Sequence, residues 1–304
     1  LAEWLSQRAH ELGVANPARA LHAPLPGPSD GMAPMLIRMI RTQGLDRTEV
    51  LGHCFRWLRD RGSSRPDDAH ALTEIVKPAT RRDVETGMRV IRFASPVERF
   101  AVIYRVLRVA TRRRPLIVWI DDAQWGAEAL EFVRYATSEK MRRKLPVLFV
   151  ATVREEELAE RPFETELLAS LSSDARTKTI GVSALPEAHR DELIGELLGL
   201  EPALAERVVE RTAGNPLFAV QLVGDWVQRA LLTQGPHGLC LADGATVDLP
   251  DNIHMVWEAR VQNIFTGQNQ QATTAIELAA VLGQYVSGEE WQTLCEMQQL
   301  PVPK

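Results

Sequence analysis

The chain has 304 residues, 45% hydrophobic and 25% charged, with a formal net charge of −5. This is ordinary globular usage in a chain long enough for two or three domains. The charge gives no support to a general nucleic-acid-binding surface, and no apolar run approaches the length of a membrane span.

Residues 1–12 read as an amphipathic helix, with Leu1, Leu5, Ala9 and Leu12 on one stripe and Gly13 as its stop. Ala18 to Ala23 is a short candidate strand, and Pro24 to Gly31 is a loop by composition. Met32, Met35, Leu36, Met39 and Ile40 follow helical spacing, a stripe that reads as core filling. Residues 47–61 and 67–77 read as further helices, joined through Arg61–Pro66. Ser95, Pro96 and Glu98 mark another helix start, with Ser as N-cap, Pro in the first turn and Glu closing a capping box. That helix runs to about Arg112.

Leu116 to Ile120 is an unbroken apolar run, the pattern of a strand buried on both faces, and it stops at Asp121 and Asp122. In open α/β sheets chemistry sits just outside the carboxyl ends of strands, so this diacid suits a Mg²⁺-nucleotide site. The alternative is that Asp122 caps the next helix. Ala127 to Lys140 is helical, 145–152 is a second buried strand ending at Arg154, 161–172 is helical, and 177–182 is a third candidate strand. Alternating strands and helices indicate a parallel, helix-covered sheet. After Ser183 the pattern changes to helices over 186–199 and 202–213, the turn Gly214-Asn215-Pro216, and a helix to Leu232. A hairpin within 235–247 and helices over 250–298 follow, the first capped by Asp251.

Cys54, Cys240 and Cys295 are far apart and fit neither a disulfide framework nor a zinc site, which suggests a reducing compartment. The histidines are scattered without metal-ligand spacing. No nucleophile–base arrangement is visible. A phosphate-cradling G-x-x-x-x-G-K-[ST] loop does not occur in these residues; the Lys178-Thr179 pair lies in a strand-like run without that loop. The opening helix looks like the one that follows such a loop, so the segment is expected to start just after it.

Three motifs stand in order: Ile120-Asp121-Asp122-Ala123-Gln124-Trp125, Ala151-Thr152-Val153-Arg154-Glu155, and Thr212-Ala213-Gly214-Asn215-Pro216-Leu217-Phe218. Together they resemble the STAND branch of P-loop ATPases, relatives of AAA+ and Orc-like ATPases found as modules of large bacterial signalling regulators. The resemblance implies an α/β, parallel-sheet P-loop core over 1–183 that lacks its first strand and P-loop. It also implies a helical lid over 184–249 and a partial winged-helix domain over 250–304. The sheet is then expected to lack the strand between 146–152 and 177–182.

By the same resemblance, Asp121 holds Mg²⁺ through water, Asp122 poises the hydrolytic water, and Arg154 senses the γ-phosphate, with a guanidinium suited to phosphate oxygens. Pro216, with Asn215 in the same turn, lies against the adenine of ATP. Gly214, Asn215 and Pro216 also read as a stop, a cap and a first helical turn, and both readings can hold. Arg154 has the alternative of a solvated arginine beside Glu155 and Glu156. The implied function is a cytoplasmic, ATP-binding and ATP-hydrolysing regulatory switch, with ATP and Mg²⁺ as ligands. Kinase, DNA-binding or helical-repeat domains are its expected fused partners, and self-association is left open. No membrane and no nucleic acid is expected to bind this segment. A nucleotide-free scaffold that keeps the fold is the competing class.

Overall fold

Five consecutive apolar residues place the centre of the sheet. In this computed structural model, residues 1–63, 65–138, 141, 145–245, 247, 250, 252–265, 270–283 and 286–301 are described. Strand β1 is Asn16–Ala20, β2 is Leu116–Ile120 and β3 is Val147–Ala151; the order is β1-β2-β3, all parallel. Every residue of β2 is buried, as its unbroken apolar run predicts. Arg19, Trp119 and Val150 share one register row, and Ala20, Ile120 and Ala151 share the next. β1 begins two residues earlier than its apolar pattern, because Asn16 and Pro17 pair with Leu116 and Ile117. Proline is tolerated there because β1 lies at an edge.

Parallel neighbours need crossover connections, and helices supply them. α1 (Ala2–Glu11) precedes β1. Between β1 and β2 lie α2 (Met32–Ile40), α3 (Arg47–Arg59), α4 (Pro66–Val76), α5 (Arg81–Glu85) and α6 (Pro96–Ala110). A 3₁₀ turn, Ala123–Trp125, and α7 (Ala127–Thr137) join β2 to β3, and α8 (Pro162–Ser172) follows. The methionine stripe is core: Met32 and Met35 are fully buried with Leu36, Leu72, Ile103, Leu107 and Phe132. Ser95 sits at the N-cap of α6 but makes no side-chain cap bond. Glu98 instead accepts from the backbone N–H of Ala94 at 2.8 Å. A reciprocal capping box does form at α3, between Asp46 and Glu49.

Residues 177–182 form no strand; Ile180 is 72% and Val182 75% exposed. Among the described residues no strand pairs with the outer edge of β3, where Leu148 is 52% exposed.

The chain divides into two compact units, Leu1–Lys178 with Glu277–Gln298, and Thr179–Ile276 with Gln299–Lys304. The first holds the parallel sheet. The second holds α9 (Glu187–Asp191), continued by a π-helical turn over Glu192–Leu197, then α10 (Pro202–Thr212) and α11 (Pro216–Gln228). The expected helix over 186–199 is thus two pieces. β4 (Leu232–Gly235) and β5 (Gly238–Leu241) form an antiparallel hairpin, starting slightly before the predicted position. α12 (Ile253–Phe265) and the start of α13 (Gln270–Val281) belong to the second unit; the end of α13 and α14 (Gly288–Met297) belong to the first. Asp251, the expected cap of α12, lies outside the described residues. Trp226, Val208, Leu222 and Phe218 centre the second unit's core. Among the described residues no helix is long and apolar enough to cross a membrane.

Candidate functional site at the carboxyl end of the sheet

The backbone divides where β2 ends. The N–H of Asp121 continues the ladder to Ala20 O at 2.8 Å, while the N–H of Ala123 donates to Thr152 O beyond β3, also at 2.8 Å. Asp122 takes up the turn between them in the left-handed region, with φ 52°. Aspartate tolerates that conformation better than most residues. The result is two adjacent carboxylates with separate sets of partners.

Asp121 faces its register neighbours. Thr152 follows β3 directly opposite it, and the Thr152 hydroxyl donates to Asp121 Oδ1 at 2.6 Å. Alternation along the strands puts Arg19, Trp119 and Asp121 on one face. Arg19 Nη2 pairs with Asp121 Oδ2, and its guanidinium lies 4.1 Å from the centre of the Trp119 ring. The Arg19 Nε is buried without a hydrogen-bond partner. The Thr152 oxygen also accepts from the N–H of Asp122 at 3.2 Å and from Trp119 Nε1 at 3.3 Å. A hydroxyl offers one donor and two lone pairs, so Thr152 is fully used.

Asp122 makes no cap bond to the turn that follows it. The helix-cap alternative is therefore replaced by a side-chain network. Arg154 grips Asp122 in bidentate fashion, Nε to Oδ1 at 3.1 Å and Nη2 to Oδ2 at 3.3 Å. Gln124, fully buried, donates from Nε2 to Asp122 Oδ1 at 3.1 Å and accepts the backbone N–H of Arg154 at 3.2 Å. Arg154 is 65% exposed, yet its fork is engaged by a carboxylate rather than only by water. Trp125 is half-buried under the guanidinium of Arg161, 3.7 Å from the ring centre.

His22 closes one side of this end. Its Nδ1 lies 3.1 Å from Asp121 O. A carbonyl only accepts, so Nδ1 carries the hydrogen. Burial lowers the imidazole pKa, against the opposing pulls of its bond to Asp121 and of the Asp30, Asp121 and Glu128 charges. Gly126, which starts α7, has to be small: a Cβ there would lie 2.8 Å from His22 Cδ2.

Asp121, Asp122 and Arg154 thus meet in the first unit. Asn215 and Pro216 belong to the second. There Asn215 caps α11, its side chain accepting from the N–H of Phe218 at 3.1 Å, and Pro216 fills the first turn. Helix α10 is stopped by Ala213 in the left-handed region, one residue before the expected Gly214. Among the described residues no three His, Cys, Asp or Glu side chains converge as a metal cage. Mg²⁺ is usually bound through one or two carboxylates, with waters and substrate phosphates completing its shell. Asp121 and Asp122 are two such carboxylates, each already engaged by an arginine and a second side chain.

Sequence reasoning passed over Arg19, Thr152, Gln124 and His22. Thr152 had a usable signal, since it sits between an apolar run and Arg154. Arg19 is visible only once the register is known. Compared with protein-family models, with curated proteins and with solved structures, the chain finds no match in any of the three.

Proposed function

We propose that the chain is a nucleotide-responsive regulatory module of the STAND type, which binds and hydrolyses ATP when joined to a phosphate-gripping loop. The observation that carries this is the bidentate Arg154–Asp122 pair at the carboxyl ends of adjacent parallel strands. Ligands bind at this end of open α/β sheets. The chemistry of the pair suits an exchange. Without nucleotide, Arg154 is satisfied by Asp122. A γ-phosphate offers the same fork a second, more highly charged partner. Arg154 leaving Asp122 would free that carboxylate to orient water, while Asp121, steadied by Thr152 and Arg19, would hold water on Mg²⁺. The metal's part is to neutralise charge on the phosphates. The exchange gives the two ligand states different contacts, which a switch requires.

The glycine-lysine phosphate loop does not occur in the 304 residues, so in this reading the main phosphate grip comes from residues outside them. The test is paired ATP and ADP affinities with single-turnover rates, measured in the natural full-length context. Asp122→Asn should slow turnover at least about tenfold with ATP affinity little changed. Arg154→Ala should erase most of the preference for ATP over ADP. An unchanged preference in a folded Arg154→Ala protein overturns the reading. One observation favours a nucleotide-free scaffold instead: both carboxylates already have internal partners. Absence of Mg²⁺-dependent ATP binding in the full-length context would select that reading.

A further inference from the structure

A second cationic site lies in the first unit, away from the diacid. The end of α6 and the link between α3 and α4 line a surface cleft of about 280 Å³. Arg105, Arg108 and Arg112 enter it from α6 and the residues just past its end. Arg65 enters from the N-cap of α4, and Asp68 is the one carboxylate among the described lining residues. The spacing of three and four residues puts the α6 arginines on one stripe.

The cleft's charges do not balance. Asp68 is buried and committed to Arg105, whose Nε and Nη2 both lie 2.8 Å from its Oδ1. Asp67, next to it, is taken by Arg89 at 2.8 Å, and Asp60 by Arg59 at 3.6 Å. Among the described residues no carboxylate lies within ion-pairing distance of Arg65, Arg108 or Arg112. Arg112 does donate to the carbonyl of Arg61, which fixes its guanidinium over Gly62. Gly62 has φ +75°, and a Cβ there would overlap Arg112 Nη1. The loop is therefore shaped around the guanidinium. Holding three unpaired cations at one cleft costs electrostatic energy, which a multivalent anion would recover. Arginine forks match phosphate oxygens in pairs.

Size narrows the ligand. The cleft exceeds the roughly 30 Å³ share of one water several-fold, but lies just under the roughly 300–1,000 Å³ of pockets that enclose whole drug-sized molecules. We propose that this cleft binds a compact polyanion of the diphosphate or triphosphate class, gripped by Arg108 and Arg112 from the α6 side, with Arg65 at the start of α4 as a third cation. A nucleic-acid backbone would call for a longer basic stripe; Arg59 and Arg89 on the flanks face their own carboxylates, while Arg61 and Arg113 lie close enough to repel each other, so the DNA arm of the test below decides between the two ligands. The proposal does not depend on nucleotide binding at Asp121 and Asp122.

The test is calorimetric titration of the full chain with inorganic pyrophosphate, without magnesium, and in parallel with ADP and a short DNA duplex. One saturable pyrophosphate site is expected, weakened at least about tenfold in the Arg108→Gln/Arg112→Gln variant. It should be unchanged in Arg81→Gln, a surface arginine paired with Glu85 along α5. ADP binding lost in the same double variant would mean that the cleft takes the diphosphate of a nucleotide as well as the free anion. The single Arg108→Gln change spares the Arg61 contact, so a several-fold loss in that variant supports the proposal even if the double variant unfolds. No saturable pyrophosphate binding, or binding equal in the folded variants and the parent, overturns it. So does a DNA duplex that binds more tightly than pyrophosphate through the same arginines.

Discussion

At the carboxyl end of the sheet each arginine meets a carboxylate, Arg19 on Asp121 and Arg154 on Asp122. In the cleft between α4 and α6, four arginines face one carboxylate that is already taken. Both clusters sit in the same unit and use the same side-chain types. The first is closed but for the buried Arg19 Nε: Thr152 and Gln124 each add a bond to a carboxylate that an arginine already holds. The second is open, with three cations facing solvent. The difference bears on ligand entry. At the closed cluster, in the reading proposed above, a phosphate would have to displace a partner, and that exchange would give the site two states. At the open cluster an anion displaces only water, so the site is a receptor without an obvious switch.

The largest expected effect breaks the closed cluster. Asp121→Ala would strand the Arg19 guanidinium, whose side chain is only 29% exposed, and the Thr152 hydroxyl proton. Removing one partner of a fully buried pair costs roughly 3–5 kcal/mol, and partial exposure here reduces the expected loss to about 2 kcal/mol. Arg154→Ala, on the more exposed pair, should cost under about 1 kcal/mol. Urea unfolding of both variants checks the ordering. Equal losses would mean that Arg19 is not held by Asp121, and the cluster would no longer count as closed.

The second effect separates the clusters by pH. The folded state lowers the pKa of His22 below its ordinary 6.5, because burial outweighs the nearby carboxylates. Above 6.5 the imidazole is neutral in both states and its contribution is fully present. As pH falls through 6.5 the unfolded chain takes up the proton first, so stability is lost until the folded pKa is passed. The urea midpoint should therefore decline from pH 7.5 to 5.5, and His22→Asn should flatten that decline. An identical slope in the variant would remove His22 from the account. Arginine side chains do not titrate in this range, so the cleft should contribute nothing to the slope.

Much of the closed cluster was legible in the chain, and little of the open one. The run Leu116–Ile120 announces a strand buried on both faces, and the two acids that end it announce a site, because a buried parallel strand has no other place for charge. Arg154 was legible for the same reason, as the first charge after β3. Arg19 was not: it lies in Asn16–Ala20, a strand without a strong apolar signature, and its role depends on the diagonal between registers. The pattern misled at 177–182. Ile180 and Val182 have strand-like character, but a strand needs a ladder partner, and among the described residues 177–182 join neither sheet, so both side chains are exposed. Arg112, Arg113 and Arg114 stand in a row just before β2. Only the approach of Gly62 and Arg65 makes a cleft of one end of it, and that approach is tertiary.

The smallest effect sharpens the contrast through salt. If the cleft holds unpaired cations, removing one should not destabilise the protein. Arg108 is exposed and without a carboxylate partner among the described residues, so Arg108→Gln should leave stability unchanged or raise it by about a few tenths of a kcal/mol through relief of like-charge repulsion. Screening fixes the signature. The Debye length falls from about 30 Å at 0.01 M to about 3 Å at 1 M ionic strength, so any gain should be largest in dilute buffer and vanish in concentrated salt. Arg154→Ala should show the reverse: a small loss in dilute buffer that shrinks with salt, because salt screens an attraction there. Melting temperatures of the two variants and the parent at both ionic strengths give four differences: opposite in sign in dilute buffer and both close to zero in concentrated salt. A loss of more than about 1 kcal/mol in Arg108→Gln at low salt would mean that this arginine is already paired within the fold, beyond what an exposed ion pair contributes. The cleft would then be as closed as the diacid cluster and would have no need of an anion.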